Sequence, residues 1–557
     1  MSNTNNCNIK IPIILLFLLF LFNYNAEAVV NLNKSNNNQH IIEIDQTNVD
    51  ANNMSVKPGD TVYIKAGKRK YMRLTNFHGD SLNYIVFKSI GGDVIIENDD
   101  HYFGLTISDC SFFRLTGTGD TSSKYGIKVM KTFKGASGLS INNLSTNFEI
   151  DHLEIANTGF AGIMSFSQPK CDGTSNRGNF VQRNISIHDN YIHQTAGEGM
   201  YIGHSFYTGY TLVCDGISEV VIPHDIKGLR IYNNLMDSTG WDGIQVSCAN
   251  SDCEIYQNKI THYGVANEKS QNSGIQIGGG TTGKCYNNTI LNGSGTGISI
   301  FGIGNNLIYN NLIINAGQMG DSINLLRGGY GIFCDDRSTT EGWSFNFINN
   351  TIIAPKTDGI RIYSNISKNN KIINNLILKP GSYGDYKEVD HSYIFYNSDV
   401  DVSIANNYYS KYLSSFINLD SISDIYEFSS TLPIINKGGD ISAFGIDYDF
   451  KETERIKHNI CDIGAFEFDS IPIEENTNSN FKIYPNPSNG TFIIVTTDKE
   501  NINRVSVNNG NGLMLHEEKP FKTNTVSISM NSILKKGIYF IDVETKGIRK
   551  VEKIIIN

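Results

Sequence analysis

The sequence predicts an all-β chain in two parts, a long stack of repeated coils followed by a small β-sandwich. Three observations carry this expectation. An asparagine recurs at the end of successive short apolar strands, a glycine recurs at the head of another set, and apolar residues alternate with a period of two in the strands after Phe481. Composition agrees: 52 glycines stand against 11 prolines in 557 residues, and no long segment sustains a 3.6-residue apolar period. A chain of this kind makes many turns from Gly and Asn.

The asparagine register runs through "ISIHDNYI", "LRIYNNLM", "CEIYQNKI", "KCYNNTI", "LIYNNLI", "FINNTII", "KIINNLIL" and "VSIANNYY". It aligns Asn190, Asn234, Asn258, Asn288, Asn311, Asn350, Asn375 and Asn407 at separations from 23 to 44 residues. A fixed minimum with variable additions means one coil per repeat, with loops inserted at its corners. The glycine register runs through "YGIKV" (125–129), "AGIMS", "EGMYI", "DGIQV", "SGIQI", "TGISI", "YGIFC" and "DGIRI" (358–362). Each coil is then expected to hold a Gly-led strand, a strand ending at the Asn, and a short third strand. Every strand pairs with its copies above and below, so no coil is stable alone. Alternating apolar residues point inward. The turn asparagines, stacked on one another, have a structural role, bonding neighbouring backbone groups.

These repeats, with the opening "VKPGDTVYIKAGKRKYMRL", resemble the right-handed parallel β-helix, the pectate-lyase-like fold, over residues 29–430. The stretch ending in "DIGAFEF", within 431–468, resembles the choice-of-anchor segment that closes many bacterial surface β-helix proteins. Residues 469–480 read as a polar linker. In 481–557, "FKIYPNPSNGTFII" and "GIYFIDVETKGIRKVEKIIIN" resemble the C-terminal sorting domain of type IX secretion. That resemblance implies a Bacteroidetes-type protein with the type IX secretion machinery as a partner, exported and then released or held at the cell surface.

The N-terminus agrees with export. Lys10, the apolar run Ile11 to Phe22 and the small-residue site at Ala26 to Ala28 make a signal peptide over 1–28. The run is short for a membrane span, and no later segment suits one, so no transmembrane span is expected. Cys171 and Cys214 sit in apparent insertions and are the expected disulfide, whereas Cys285 falls in a strand and is expected in the core. The net charge is −10, although residues 481–557 carry 11 Lys and Arg against 7 Asp and Glu. An acidic body excludes nucleic acid as a partner, because that needs a basic footprint.

Coils present outward residues about 4.8 Å apart, a spacing that suits an extended extracellular polysaccharide. Glu198 and Asp242 occupy the position before the Gly in consecutive coils, in what reads as an outward turn. They are the expected catalytic pair, since two carboxylates so placed push one pKa upward. A gap of about 5–5.5 Å would imply a retaining hydrolase and a wider one an inverting hydrolase. Tyr201, His204, Trp241, Gln245, Gln276 and Lys128 are the expected substrate contacts, with insertions 167–183 and 205–227 walling the groove.

The expected function is a secreted glycoside hydrolase that degrades a polysaccharide. The first alternative is a lyase acting by β-elimination on a uronate polymer. It would use Tyr201 or His204 as base and calcium, Lys128 or Arg361 as the neutralising cation. The second is a non-catalytic, glycan-binding surface adhesin. The sequence specifies no cofactor; Ca2+ is the one the pattern admits, with Asp335 and Asp336 as weak ligand candidates. Asp151 and His152, and His188 and Asp189, read as a hydrogen-bond network.

Overall fold

The computed structural model describes residues 40–119, 122–319, 328–381, 392–413, 433–456, 460–468 and 481–557, save 498, 510–512, 532 and 547. The expected signal peptide and the 469–480 linker lie outside the described residues. The chain divides into two units, Met1–Phe468 and Asp469–Asn557.

From Phe103 onward, three parallel strands make each coil of the first unit. Met200–Ile202, Asp225–Tyr232 and Leu235–Thr239 form one coil; Ile244–Val246, Ala249–Tyr256 and Lys259–Thr261 form the next. The Gly-led strands build a 12-stranded sheet, and the other two strands of each coil build a 23-stranded one. Side chains alternate in and out, so each inward position becomes a column. One such column joins Ile155, Ile192, Met236, Ile260, Ile290, Ile313, Ile352 and Ile377, all buried. Each buried side chain of this size contributes about 1.5–3 kcal/mol. The column is the solenoid's hydrophobic spine.

One expected repeat belongs elsewhere. "YGIKV" gives strand Ile127–Lys131, which lies in the 23-stranded sheet and pairs with Leu153–Ala156 and with Val94–Glu97. The Gly-led strand of that coil is Ser137–Asn142, headed by Gly138. A five-residue Gly-led pattern does not distinguish the strands of a coil, since all share the same alternation.

The asparagine ladder is continuous. Each Nδ2 from Asn190 to Asn375 donates to the next coil's Oδ1 at 2.9–3.0 Å. Each backbone N–H donates to the same oxygen at 2.8–3.2 Å. The residue before each rung is left-handed, with φ between 51° and 58° from Asp189 to Asn406. Asparagine tolerates that conformation best among residues bearing a Cβ, which explains the frequent "NN". The first Asn bends the chain and the second ties the coils.

Residues 433–456 and 460–468 pack along the side of the stack. Ile434, Ile463, Ala465 and Phe466 cover Leu291, Leu312, Ile314, Ile353, Leu376 and Leu378. Arg455 is fully buried there, donating to Glu467 (3.2 Å), Asn310 Oδ1 (2.7 Å) and the Ala465 carbonyl (2.7 Å).

The second unit is a sandwich. Phe481–Tyr484, Thr491–Thr496 and Thr525–Ser529 form one antiparallel sheet. Met514–Glu518, Arg504–Asn508, Gly537–Thr545 and Ile548–Ile556 form the other. Phe492, Ile494, Val505, Val507, Ile541 and Ile554 fill the space between the sheets.

The expected disulfide is present, joining Cys171 to Cys214 across 43 residues of sequence, and Cys285 is a core residue. Cys214 ends the first strand of a hairpin, Tyr210–Cys214 and Ile217–Val221. The bond ties this hairpin to the neighbouring insertion. The Cys171→Ser, Cys214→Ser double substitution should remove about 2–4 kcal/mol of local stability. Limited proteolysis should then cut within 167–183 and 205–227 before it cuts the coils. Unchanged cleavage rates there would contradict this.

Candidate active site

Glu198 and Asp242 do fall in one column. Gly199 N–H donates to the Asp242 carbonyl at 2.9 Å, as Gly162 does to Glu198 and Gly243 to Ser273. Glycine is needed for so close an approach: a Cβ on Gly199 would stand 2.5 Å from the Gly243 carbonyl oxygen. The coil backbone therefore brings the two acidic residues one strand spacing apart.

The pair is not on an open face, as the sequence suggested. Glu198 is 2% exposed and Asp242 0%. Asp242 Oδ1 accepts a 2.5 Å bond from the Ser273 N–H. Asp242 Oδ2 and Glu198 Oε2 are buried with no hydrogen-bond partner among the described residues. Burial disfavours the charged forms, lifting the Glu198 carboxyl to about 7. Asp242 rises well above its ordinary range, chiefly through burial; the Ser273 amide opposes this and the Glu198 charge adds to it.

Asp358, four coils on in the same column, shows what a structural carboxylate looks like there. Its Oδ1 accepts from the Ser392 N–H (2.6 Å) and its Oδ2 from Arg361 (2.7 Å). Asp242 has the amide but not the arginine. Gln245 stands three residues on instead, and its amide turns away to Ser205.

Above the pair lies a cover. Phe160 meets Trp241 edge-on at 5.5 Å and Tyr201 at 6.2 Å. Phe166 packs on Tyr201 (5.4 Å) and His204 (5.1 Å), and His204 stacks on Tyr210. Ser205 gathers the expected sugar contacts. Tyr201 Oη lies 2.9 Å from Ser205 Oγ, Gln245 Nε2 donates to Ser205 at 2.7 Å, and Gln276 donates to Gln245 at 2.9 Å. Tyr207 lies against Gly280, where a Cβ would be 2.1 Å from its ring. The 205–227 insertion thus starts over the sheet face rather than only beside it. Sequence reasoning missed Ser205; its one signal is the Gly203 break that begins the insertion.

Tyr201, Trp241, Gln245, Gln276 and His204 are brought together around the pair, and Lys128 is not. Lys128 lies in the 23-stranded sheet, paired with Asp93 (3.0 Å) and Glu154 (3.5 Å), because its strand was the misplaced repeat. Burial lowers the His204 pKa, and its Nδ1 accepts from the Phe206 N–H, which fixes a neutral ring. Burial also raises the Tyr201 phenol. Asp335 is held by Arg337, and Asp336 accepts from the Asn365 N–H at 2.7 Å, so neighbouring groups already engage both weak metal candidates.

The predicted network elsewhere is larger than expected. Glu149, Asp151 and His188 present atoms within 4.8 Å of one another. Arg114 supplies the positive charge between them, bonding Asp151 at 2.7 Å and Glu149 at 3.0 Å. Thr116 and His152 complete the Asp151 shell.

Comparison with known proteins bears on fold and address. The right-handed β-helix region family matches residues 214–408, and the secretion-system C-terminal sorting domain family matches 482–557. No curated protein sequence matches the chain. Among solved structures it is similar to the pectate lyase Pel9A, at 13% identity and a TM-score of 0.36, over 74% of this chain and 89% of that one. It is similar to a GH136 lacto-N-biosidase from Eubacterium ramulus, at 11% identity and 0.37, over 64% and 63%. It is also similar to an alginate lyase from a Paenibacillus species, at 12% identity and 0.28, over 62% and 94%. No helix among the described residues is long and apolar enough to cross a membrane. The chain is a right-handed parallel β-helix carrying a C-terminal sorting domain that directs type IX secretion to the cell surface or beyond.

Proposed function

We propose that the protein is an exported glycoside hydrolase in which Glu198 and Asp242 cleave a polysaccharide. The observation that carries this reading is the pair itself: two carboxyl groups in register, buried, each with an unpartnered oxygen and no arginine beside them. Burying such groups is costly, and catalysis is a reason to keep them.

We assign the acid role to Asp242, the more deeply buried of the two, and the base or nucleophile role to Glu198. Burial lifts the Glu198 carboxyl to about 7 and holds Asp242 well above its ordinary range, so near neutral pH the pair favours a protonated member. Asp242 is then the general acid, giving its proton to the glycosidic oxygen as that bond breaks. Glu198, as carboxylate, attacks the anomeric carbon or takes a proton from the attacking water. In either route one water is consumed, and the products carry one new reducing end. On this reading kcat/KM rises with pH through about 7 as Glu198 ionises.

Hydrolysis is preferred to elimination because of the place of the cations. Lys128 faces another sheet, and Arg361 stands four coils from Gln245, roughly 19 Å at the spacing of stacked strands. Neither neutralises a uronate beside Glu198. The test is a polysaccharide panel with product analysis, run on the wild type, Glu198→Gln and Asp242→Asn. Saturated reducing ends, lost in both variants, are expected. Unsaturated ends would mean a lyase, cleavage retained in both variants would remove the pair from the chemistry, and binding without cleavage would mean an adhesin.

A further inference from the structure

The outer face of the 23-stranded sheet carries a second, unassigned feature. Tyr232, Tyr256, Tyr286 and Tyr309 occupy one outward column of four consecutive coils. Their rings stack at 4.7–5.0 Å and within 8° of parallel. Residues 445–452 run alongside and wall one side of an open cavity of about 440 Å³ over Tyr256, Tyr286 and Tyr309, with Gln257, Asp447 and Glu452 among its lining. The volume falls in the range of ligand sites.

The cavity is preformed. Gln257 Nε2 donates to Glu452 at 2.8 Å, and Asn310 Nδ2 donates to the Tyr448 carbonyl at 2.8 Å, so floor and wall are tied together. Rings stacked on one another show a ligand their edges and hydroxyls, not their faces. The ladder therefore offers phenol O–H groups at a regular pitch near one sugar residue of an extended chain. Tyr286 Oη donates to Glu254 at 2.9 Å. Asp447 and Glu452 are exposed on the wall, and no lysine or arginine lines the cavity among the described residues. Phenols and amides match sugar hydroxyls, whereas the carboxylates repel uronates and sulfates.

We propose that this tyrosine-floored cavity is a binding subsite for a neutral, extended glycan, on a different sheet from Glu198 and Asp242. It does not depend on the pair being catalytic. A chain gripped there would hold the protein on its polymer whether or not the other face cuts it.

Binding of the full chain to xylo-, manno- and cello-oligosaccharides and to polygalacturonate, followed by isothermal titration calorimetry, tests this. At least one neutral oligosaccharide should bind and polygalacturonate should not. Tyr256→Phe with Tyr309→Phe keeps the ring stack and removes two hydroxyls, so affinity should fall about 10-fold or more with an unchanged melting temperature. No binding of any neutral probe, equal binding of polygalacturonate, or full affinity in the double variant would overturn the proposal. Loss of cleavage in Glu198→Gln with oligosaccharide binding intact would separate the two sites.

Discussion

At pH 8, Glu198→Gln is expected to be more stable than the wild type by about 3 kcal/mol while it loses cleavage. The folded chain holds the Glu198 proton up to about 7, whereas the unfolded chain releases it near 4.5. Between those values the folded state binds more protons, so stability is fully present below 4.5 and falls as pH rises to 7. A difference of about 2.5 units corresponds to about 3 kcal/mol. Glutamine has nothing to titrate and escapes that loss. Urea midpoints at pH 5 and pH 8 check this: the wild type should lose more stability between the two than the variant, which keeps only the share carried by other raised groups such as Asp242. Equal wild-type midpoints would mean that Glu198 is solvated and ordinary. A variant both more stable and inactive would mark a residue retained for chemistry at a cost to the fold.

Asn288→Ala is expected to cost about 3–5 kcal/mol, although it removes only a small polar side chain. Asn288 Nδ2 reaches Asn311 Oδ1 and the carbonyls of Ile255 and Tyr286, and its Oδ1 accepts from both nitrogens of Asn258. Alanine leaves buried groups on three coils unpaired, at about 1–3 kcal/mol each. Coils are stable only through their neighbours, so damage at the centre weakens both halves. The fall in urea midpoint should exceed that of an exposed-face control such as Lys259→Ala. A loss below about 1 kcal/mol would mean that water replaces the rung.

The solenoid was legible because its determinants are local and repeated. Asn at each turn, Gly at each close approach and Ile at each inward position recur often enough to align without any partner. The exception, "YGIKV", shows the limit: Ile127–Lys131 has the right letters, but pairing with Val94–Glu97 puts it in the other sheet. That single slip misplaced Lys128. The site was half legible. Register brought Glu198 and Asp242 together, but the position before the Gly, read as an outward turn, is buried in other coils too, at Ala161, Ser273, Thr296 and Asp358. Side-chain direction at a corner between strands does not follow the two-residue alternation, so that periodicity does not encode it. The tyrosine column was present in "LRIYNN", "CEIYQN", "KCYNN" and "LIYNN", where the recurring Tyr stands beside the asparagines that drew the attention.

The segment around Arg455 has a consequence for the order of assembly. Its bonds reach back to Gln257, Asn310 and Asn349 across 113–195 residues of chain. None of these can form until the turns that present them have been wound, and each spans a large entropic gap. The last strap to close is therefore also the one that hides Leu312, Ile314, Leu376 and Leu378 from solvent. Without that strap, these four side chains would lie open along one flank of the wound coils. Arg455, bonded to Asn310, Glu467 and the Ala465 carbonyl, holds that cover in place.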